Sequence, residues 1–183
     1  MKKVDRRIAM VSREFKLEKK DALLLLSLLR NGRAPYSELG KTCRITRQAA
    51  FNRVRKLAEA GVIKKFTVQL NPHKLGLQLK AFILVTAETS REAREEAERV
   101  LLRFPQISGI YRLFGRFDLL LEVLVRDIDE LRDLIGEIHK LRMVKKTETL
   151  IVYRTVKEEP TDPVEHYLAG LVSPGRLGGA AGI

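Results

Sequence analysis

Apolar side chains recur along this chain first at helical and later at alternating spacing. Leu17-Glu18-Lys19-Lys20-Asp21 leads into apolar residues at 22–26, 28 and 29, and the run stops at Asn31-Gly32. Acidic residues in a first turn and a glycine past the last mark a helix, with Leu24, Leu25, Leu28 and Leu29 on its buried sides. Pro35 opens a short second helix over 36–42, and Arg44-Ile45 makes the turn that follows. Thr46 suits the N-cap of a third helix that reaches residue 60, where Gly61 stops it. From Val62 the period falls to two, and 62–70 predicts a strand or wing hairpin that ends at Asn71-Pro72. Three helices with a short middle one, then a strand, is the order of a winged helix-turn-helix.

A second pattern begins after the Asn-Pro break. Residues 77–87 read as an apolar strand, and Ala93, Ala97, Val100, Leu101 and Phe104 sit at helical spacing over 91–104, closed by Pro105. Strands over 107–114 and 117–125 flank a Gly115-Arg116 corner. A helix over 128–141 carries Leu131, Leu134, Ile135 and Ile138, and a last strand covers 144–156. The order β-α-β-β-α-β is that of a ferredoxin-like layer, two helices on one face of an antiparallel sheet. The predicted class is therefore α+β. Its divisions are a basic arm (1–16), a winged helix-turn-helix (17–70), a linker (71–78), a ferredoxin-like domain (79–157) and a C-terminal extension (158–183). That extension has one amphipathic stretch over 164–172 and then a glycine-rich, mobile tail.

Charge separates the two halves. The chain of 183 residues carries a net +12. Residues 1–76 hold 19 Lys and Arg against 6 Asp and Glu, while residues 77–183 hold 16 against 17. A surface charged only for solubility has no reason to segregate in this way, whereas a chain that confines polyanion binding to one domain does. The expected partner is double-stranded DNA.

The third helix supplies the chemistry for it. At 100° per residue, Ala50, Val54 and Leu57 share a packed face and Gln48, Asn52 and Arg55 point away from it, with Arg47 and Lys56 flanking and Arg53 nearer the packed edge. Glutamine and asparagine can pair with adenine and arginine with guanine, and the remaining cations can meet phosphates. Residues 41–65 hold eight basic side chains and one acid, Glu59. The predicted DNA-binding set is Thr46, Arg47, Gln48, Asn52, Arg53, Arg55 and Lys56. A solvated basic helix without a nucleic-acid partner is the plainer alternative.

Other chemistry is sparse. One cysteine, Cys43, excludes an intrachain disulfide, and in the second helix it reads as a small buried side chain. His73, His139 and His166 show no metal-ligand spacing, so no metal site is expected. Walker-type loops, a G-x-S-x-G elbow and a dinucleotide fingerprint are missing, and the carboxylate pairs Glu95-Glu96 and Asp129-Glu130 read as solvated helix faces. No enzyme and no cofactor are expected. Met1-Lys2-Lys3 is not followed by an apolar core of a signal peptide, and no purely apolar run exceeds five residues. A cytoplasmic, nucleoid-associated protein without membrane contact is the expectation.

Several motifs in register resemble the Lrp/AsnC, or feast/famine, family of prokaryotic transcriptional regulators. Leu17-Glu18-x-x-Asp21-x-x-Leu24-Leu25-x-x-Leu28 with Asn31-Gly32-Arg33 is similar to its first helix. Glu38-Leu39-Gly40-Lys41, Ile45-Thr46 and Arg53-Val54-x-x-Leu57-x-x-Ala60-Gly61-Val62-Ile63 are similar to its helix-turn-helix. Asn71-Pro72-x-x-Leu75-Gly76 resembles its linker, and Gly115-Arg116-Phe117-Asp118-Leu119-Leu120 its ligand loop. Gly40 stands where the family usually has alanine, an exchange that weakens a helix by about 1 kcal/mol. Arg44 replaces the customary turn glycine, and Arg116 stands where an acid is common.

The resemblance implies a dimer formed through the second domain, often assembled into tetramers or octamers, with an amino acid or similar effector bound between dimers. It implies an effector site at Gly115, Phe117 and Asp118, with Thr147 and Thr149 on the last strand. Turn geometry for Gly115 and core packing for Phe117 are equally good explanations of those two residues. The expected function is a sequence-specific, effector-modulated transcriptional regulator. Two alternatives stay open: a tetrapyrrole decarboxylase of the haem pathway with a similar sequence, and an architectural protein that compacts DNA with little specificity.

Overall fold

The computed structural model describes residues 15–88 and 90–173; the greater part of the basic arm (1–14) and the tail beyond 173 lie outside the described residues. α1 (Lys19–Arg30), α2 (Tyr36–Cys43) and α3 (Arg47–Glu59) converge on one core. Leu24 from α1, Leu39 and Cys43 from α2, and Ala50 and Val54 from α3 form it, each no more than 3% exposed. The Thr46 hydroxyl accepts the Ala49 N–H at 3.1 Å, so α3 starts where the cap was predicted. Gly61 takes a φ of +73° just past its end.

Beyond Ile63 the expected wing strand does not form: residues 64–71 have no ladder. The alternation of apolar side chains that suggested it is not matched by burial: residues 64–71 are all exposed, Phe66, Val68 and Leu70 at 58%, 72% and 64%. A strand also needs a neighbour for its N–H and C=O groups, and no described segment pairs with this one.

The second unit, Gln69–Lys157, has the predicted order. A 3-10 turn (Pro72–Leu75) leads to β1 (Leu79–Ala87), α4 (Arg91–Leu101), β2 (Ile107–Arg112), β3 (Leu119–Val125), α5 (Ile128–His139) and β4 (Val144–Ile151). The sheet is antiparallel with order β2-β3-β1-β4. Strand alternation sends Ala81, Ile83, Val85, Leu119, Leu121, Val123 and Val125 to one face, where they pack with Ala97 and Leu101 of α4 and Leu131, Leu134 and Ile138 of α5. The opposite face carries Phe82, Leu84, Leu120 and Leu124, half-buried, beside the more exposed Leu150 and Tyr111.

Several elements are shorter than their patterns predicted. β4 stops at Ile151, opposite Ala81, because β1 extends only two residues further to pair with it, and Val152 makes a last bond to the Lys80 carbonyl at 2.9 Å. α4 ends at Leu101 rather than at Phe104.

The C-terminal extension is not a free appendage up to residue 173. Residues 158–173 belong to the first unit. There α6 (Asp162–Val172) packs on α1, with Leu168 2% exposed and Arg30 Nε 3.3 Å from Glu165 Oε1. No helix among the described residues is long and apolar enough to cross a membrane.

Leu168 is the one side chain that α6 buries fully, so Leu168→Ala should cost the first unit about 2–4 kcal/mol, the usual loss for truncating a buried leucine. Urea unfolding of wild type and variant measures it. A change below about 0.5 kcal/mol would show that α6 is not part of that core.

Candidate nucleic-acid interface

α3 is held by one polar anchor. Asp21, the buried charged residue of the described chain, lies in the first turn of α1. Its Oδ2 accepts the Glu18 N–H at 3.0 Å, and its Oδ1 takes Arg53 Nη1 at 2.7 Å. The other end of the Arg53 fork reaches Glu18 Oε2 at 2.9 Å. These hydrogen bonds, to Asp21 first and Glu18 second, raise the Arg53 pKa above its ordinary value. Arg53 was expected among the DNA-binding residues. Its guanidinium is engaged by two carboxylates, Asp21 in the first turn of α1 and Glu18 just before it, which ties α3 to α1.

The other predicted residues stand clear of the core. Thr46, Arg47, Gln48, Asn52, Arg55 and Lys56 are all exposed. Gln48 Nε2 donates to Asn52 Oδ1 at 3.3 Å, so the two amides are aligned on one ridge. Arg55 Nε is 3.5 Å from Glu59 Oε1, an exposed pair that is cheap to break. Lys56 Nζ lies 5.7 Å from the centroid of the Phe15 ring. Thr46 caps the helix with its hydroxyl. Phe51, which the helical pattern did not single out, joins this face at 39% exposure, its ring met edge-on by Tyr36 at 5.3 Å and 84°. Its signal lay in the numbering, four residues after Arg47 and four before Arg55, but an aromatic in a helix reads first as core.

The turn before α3 is unusual. Arg44 caps α2 with φ 51° and ψ 53°, the left-handed conformation that glycine would take more cheaply. Gly40 has a different constraint: a Cβ there would lie 2.8 Å from the Ile45 carbonyl oxygen and 3.3 Å from backbone atoms of Thr46 and Arg47. Its absence lets α2 approach the start of α3 closely, which offsets the expected loss of helix propensity. Cys43 is buried beneath this turn. Burial pushes its thiol pKa up, with the charge of Arg53 opposing, so the side chain is a packing group.

In the second unit the expected effector residues fall into two groups. Gly115 has φ +155°, and Arg116 places its guanidinium 4.9 Å from the centroid of the Phe117 ring and 3.2 Å from Glu148 Oε2. Asp118 Oδ2 accepts the Ala87 N–H at 2.8 Å, and the Asp118 N–H bonds to Val85 O at 2.9 Å, so this side chain ties β3 to the end of β1. Thr147 and Thr149 stand opposite Val85 and Ile83, on the helix-covered face, and Thr147 Oγ1 is 2.6 Å from His139 Nε2. The loop group meets β4 through Glu148, opposite Leu84 and so on the other face. The structure thus does not bring the two groups together on one face of the sheet. Among the described residues no cluster of His, Cys, Asp and Glu is placed to hold a metal ion.

Comparison with known proteins agrees with both units. Residues 17–64 match a family model described as winged helix-turn-helix DNA-binding, and residues 80–162 one described as the Lrp/AsnC ligand binding domain. The HTH-type transcriptional regulator FL11 of Pyrococcus horikoshii is 32% identical over 149 residues, 81% of this chain and 97% of that protein. The structure of AsnC from E. coli superposes with a TM-score of 0.74 at 27% identity, covering 79% of this chain and 97% of that one. A transcriptional regulator from Neisseria meningitidis, solved in complex with L-Met, shares the fold with a TM-score of 0.77 at 24% identity, over 83% of this chain and 99% of that one.

The turn geometry predicts opposite signs for two substitutions. Arg44→Gly should raise stability by up to about 1 kcal/mol by relieving the left-handed side chain. Gly40→Ala should lower it by about 1–2 kcal/mol in spite of alanine's better propensity, because the backbone of the turn must move. Chemical denaturation of both variants is the check; a Gly40→Ala protein more stable than wild type would contradict the close approach.

Proposed function

The chain belongs to the Lrp/AsnC family of transcriptional regulators, and on that premise we propose that it grips duplex DNA through the outward face of α3 and answers a small effector through its second unit. The observation that carries this reading is the division of labour among the cations of α3. Arg53 is turned inward to two carboxylates, while Arg47, Arg55 and Lys56 stand exposed around the Gln48–Asn52 amide ridge. The amides and Arg55 are the groups assigned to base edges, and Arg47, Lys56 and the amide-rich start of α3 at Thr46 to phosphates. Arg53 is assigned a positioning role.

The half-buried apolar face of the sheet is proposed as the dimer surface, since a second copy would cover Phe82, Leu84, Leu120 and Leu124 together. A dimer presents two α3 helices to a site of two-fold symmetry, and tetramers or octamers follow from further contacts between dimers. Effector binding is assigned to the loop at Gly115, Phe117 and Asp118 together with Thr147 and Thr149, with the ligand held between dimers so that different copies can supply the two groups. An amino acid is the proposed effector class, supported by the L-Met held by the Neisseria meningitidis relative. The reading is of a binding protein in the cytoplasm, associated with the nucleoid, rather than of an enzyme, in keeping with relatives that are named as transcriptional regulators.

Fluorescence anisotropy of the full chain on duplex DNA across a salt series tests the proposal. A dimer making six or more phosphate contacts should lose about a thousandfold in affinity between roughly 50 and 200 mM salt. Affinity that does not respond to salt would contradict it.

A further inference from the structure

Packing within the fold accounts for only part of Phe51. The apolar residues that α3 buries are Ala50, Val54 and Leu57, and each is 3% exposed or less. Phe51 lies outside that set at 39% exposure, on the same side as Arg47, Gln48, Asn52 and Arg55. Its ring is not free to turn away, because Tyr36, at the first position of α2, meets it edge-on with centroids 5.3 Å apart and planes at 84°. A large apolar surface is thus held rigid among amides and cations, with its outer side turned to water in the free protein.

We propose that Phe51, fixed by Tyr36, is a specificity-determining residue that packs on the C5-methyl group of a thymine when α3 enters the major groove. This rests on the DNA-binding reading above and adds to it the identity of a base. The chemistry leaves few choices. Among groups displayed in the major groove, the thymine methyl is the largest apolar one; the C5–H of cytosine and the C8–H of the purines offer far less apolar surface, and the others are hydrogen-bond donors or acceptors. A phenyl ring pressed on those would bury them without a partner, at a cost that the correct base does not carry. Phe51 therefore favours thymine by contact and disfavours the alternatives by desolvation. Tyr36 is a positioning residue: it touches no base and acts by holding the ring.

The experiment uses the full chain and a duplex recovered from a randomised library by repeated selection on it. Each thymine of that duplex is replaced in turn by deoxyuridine, which removes the methyl group and nothing else. For the wild-type protein, one thymine in each half-site should cost about fourfold in affinity on replacement, the factor that burying one methyl is worth. In Phe51→Ala the same replacement should cost nothing further, in Phe51→Leu part of the penalty should remain, and Tyr36→Ala should reduce the thymine-to-deoxyuridine ratio while Tyr36→Phe keeps it. Thermal melts establish that the variants fold, and the wild-type methyl scan stands without them. Salt-sensitive binding in which no thymine methyl matters, or an undiminished methyl effect in Phe51→Ala, would overturn the proposal and leave the regulator reading in place. Retention of no duplex at all would overturn both.

Discussion

Asp21 is the buried charge on which the first unit is organised, and its neutralisation decides how α3 is presented. One of its oxygens closes the first turn of α1 on the Glu18 N–H and the other takes the Arg53 guanidinium. A carboxylate withdrawn from water in this way is tolerated only with such partners, and removing one of them would leave the other stranded. Arg53 is thereby fixed, and because a helix is rigid, fixing one of its residues fixes the direction of all the others. With residue 53 turned to α1, residues 47, 48, 51, 52, 55 and 56 are left facing solvent as one surface. The surface that reads DNA is, on this account, what remains after the ion pair has been satisfied.

The turn before α3 serves the same end by other means. Gly40 allows the backbone of Ile45 and Thr46 to lie against α2, and Arg44 accepts a left-handed conformation to make the corner. Both residues depart from what a generic helix-turn-helix would choose, and each departure is explained by the geometry around it. The Thr46 cap then starts α3 at a defined residue, so the approach of α2, the ion pair and the cap together set the helix in position, direction and register.

Much of this was legible in the sequence. Helical spacing and the Pro35 and Thr46 start signals located α1, α2 and α3, and apolar runs located β1 and β3, because those patterns reflect burial against a neighbour that does exist. The segment over 62–70 carried an equally good alternation, yet no described strand lies beside it to complete a ladder, and periodicity records only which side chains could share a face. The destination of Arg53 was not legible for a related reason: Glu18 and Asp21 lie 35 and 32 residues earlier, and a charge pattern does not say which cation will turn inward. Phe51 was passed over because exposure of an aromatic is a property of the packed unit. In the second unit the likeness to a ligand loop singled out one segment, but the hydrogen bond from Ala87 to Asp118 and the pairing of Thr147 with His139 depend on strand register. The docking of α6 on α1 depends on a contact between the two ends of the chain, and the family match stops at residue 162, where that helix begins.

If the inward cation and the outward cations of α3 do different work, salt titration of duplex binding separates them. The paired change Asp21→Asn with Arg53→Met removes both charges of the ion pair together and keeps an acceptor for the Glu18 N–H. Its slope of log affinity against log salt should match wild type, while its affinity falls uniformly across the salt series because the anchor that positions α3 is lost and no phosphate contact is. Alanine at Arg47, Arg55 and Lys56 should instead lower that slope by roughly one for each phosphate that is no longer neutralised. A shallower slope in the first variant, or an unchanged slope in the second, would contradict the assignment.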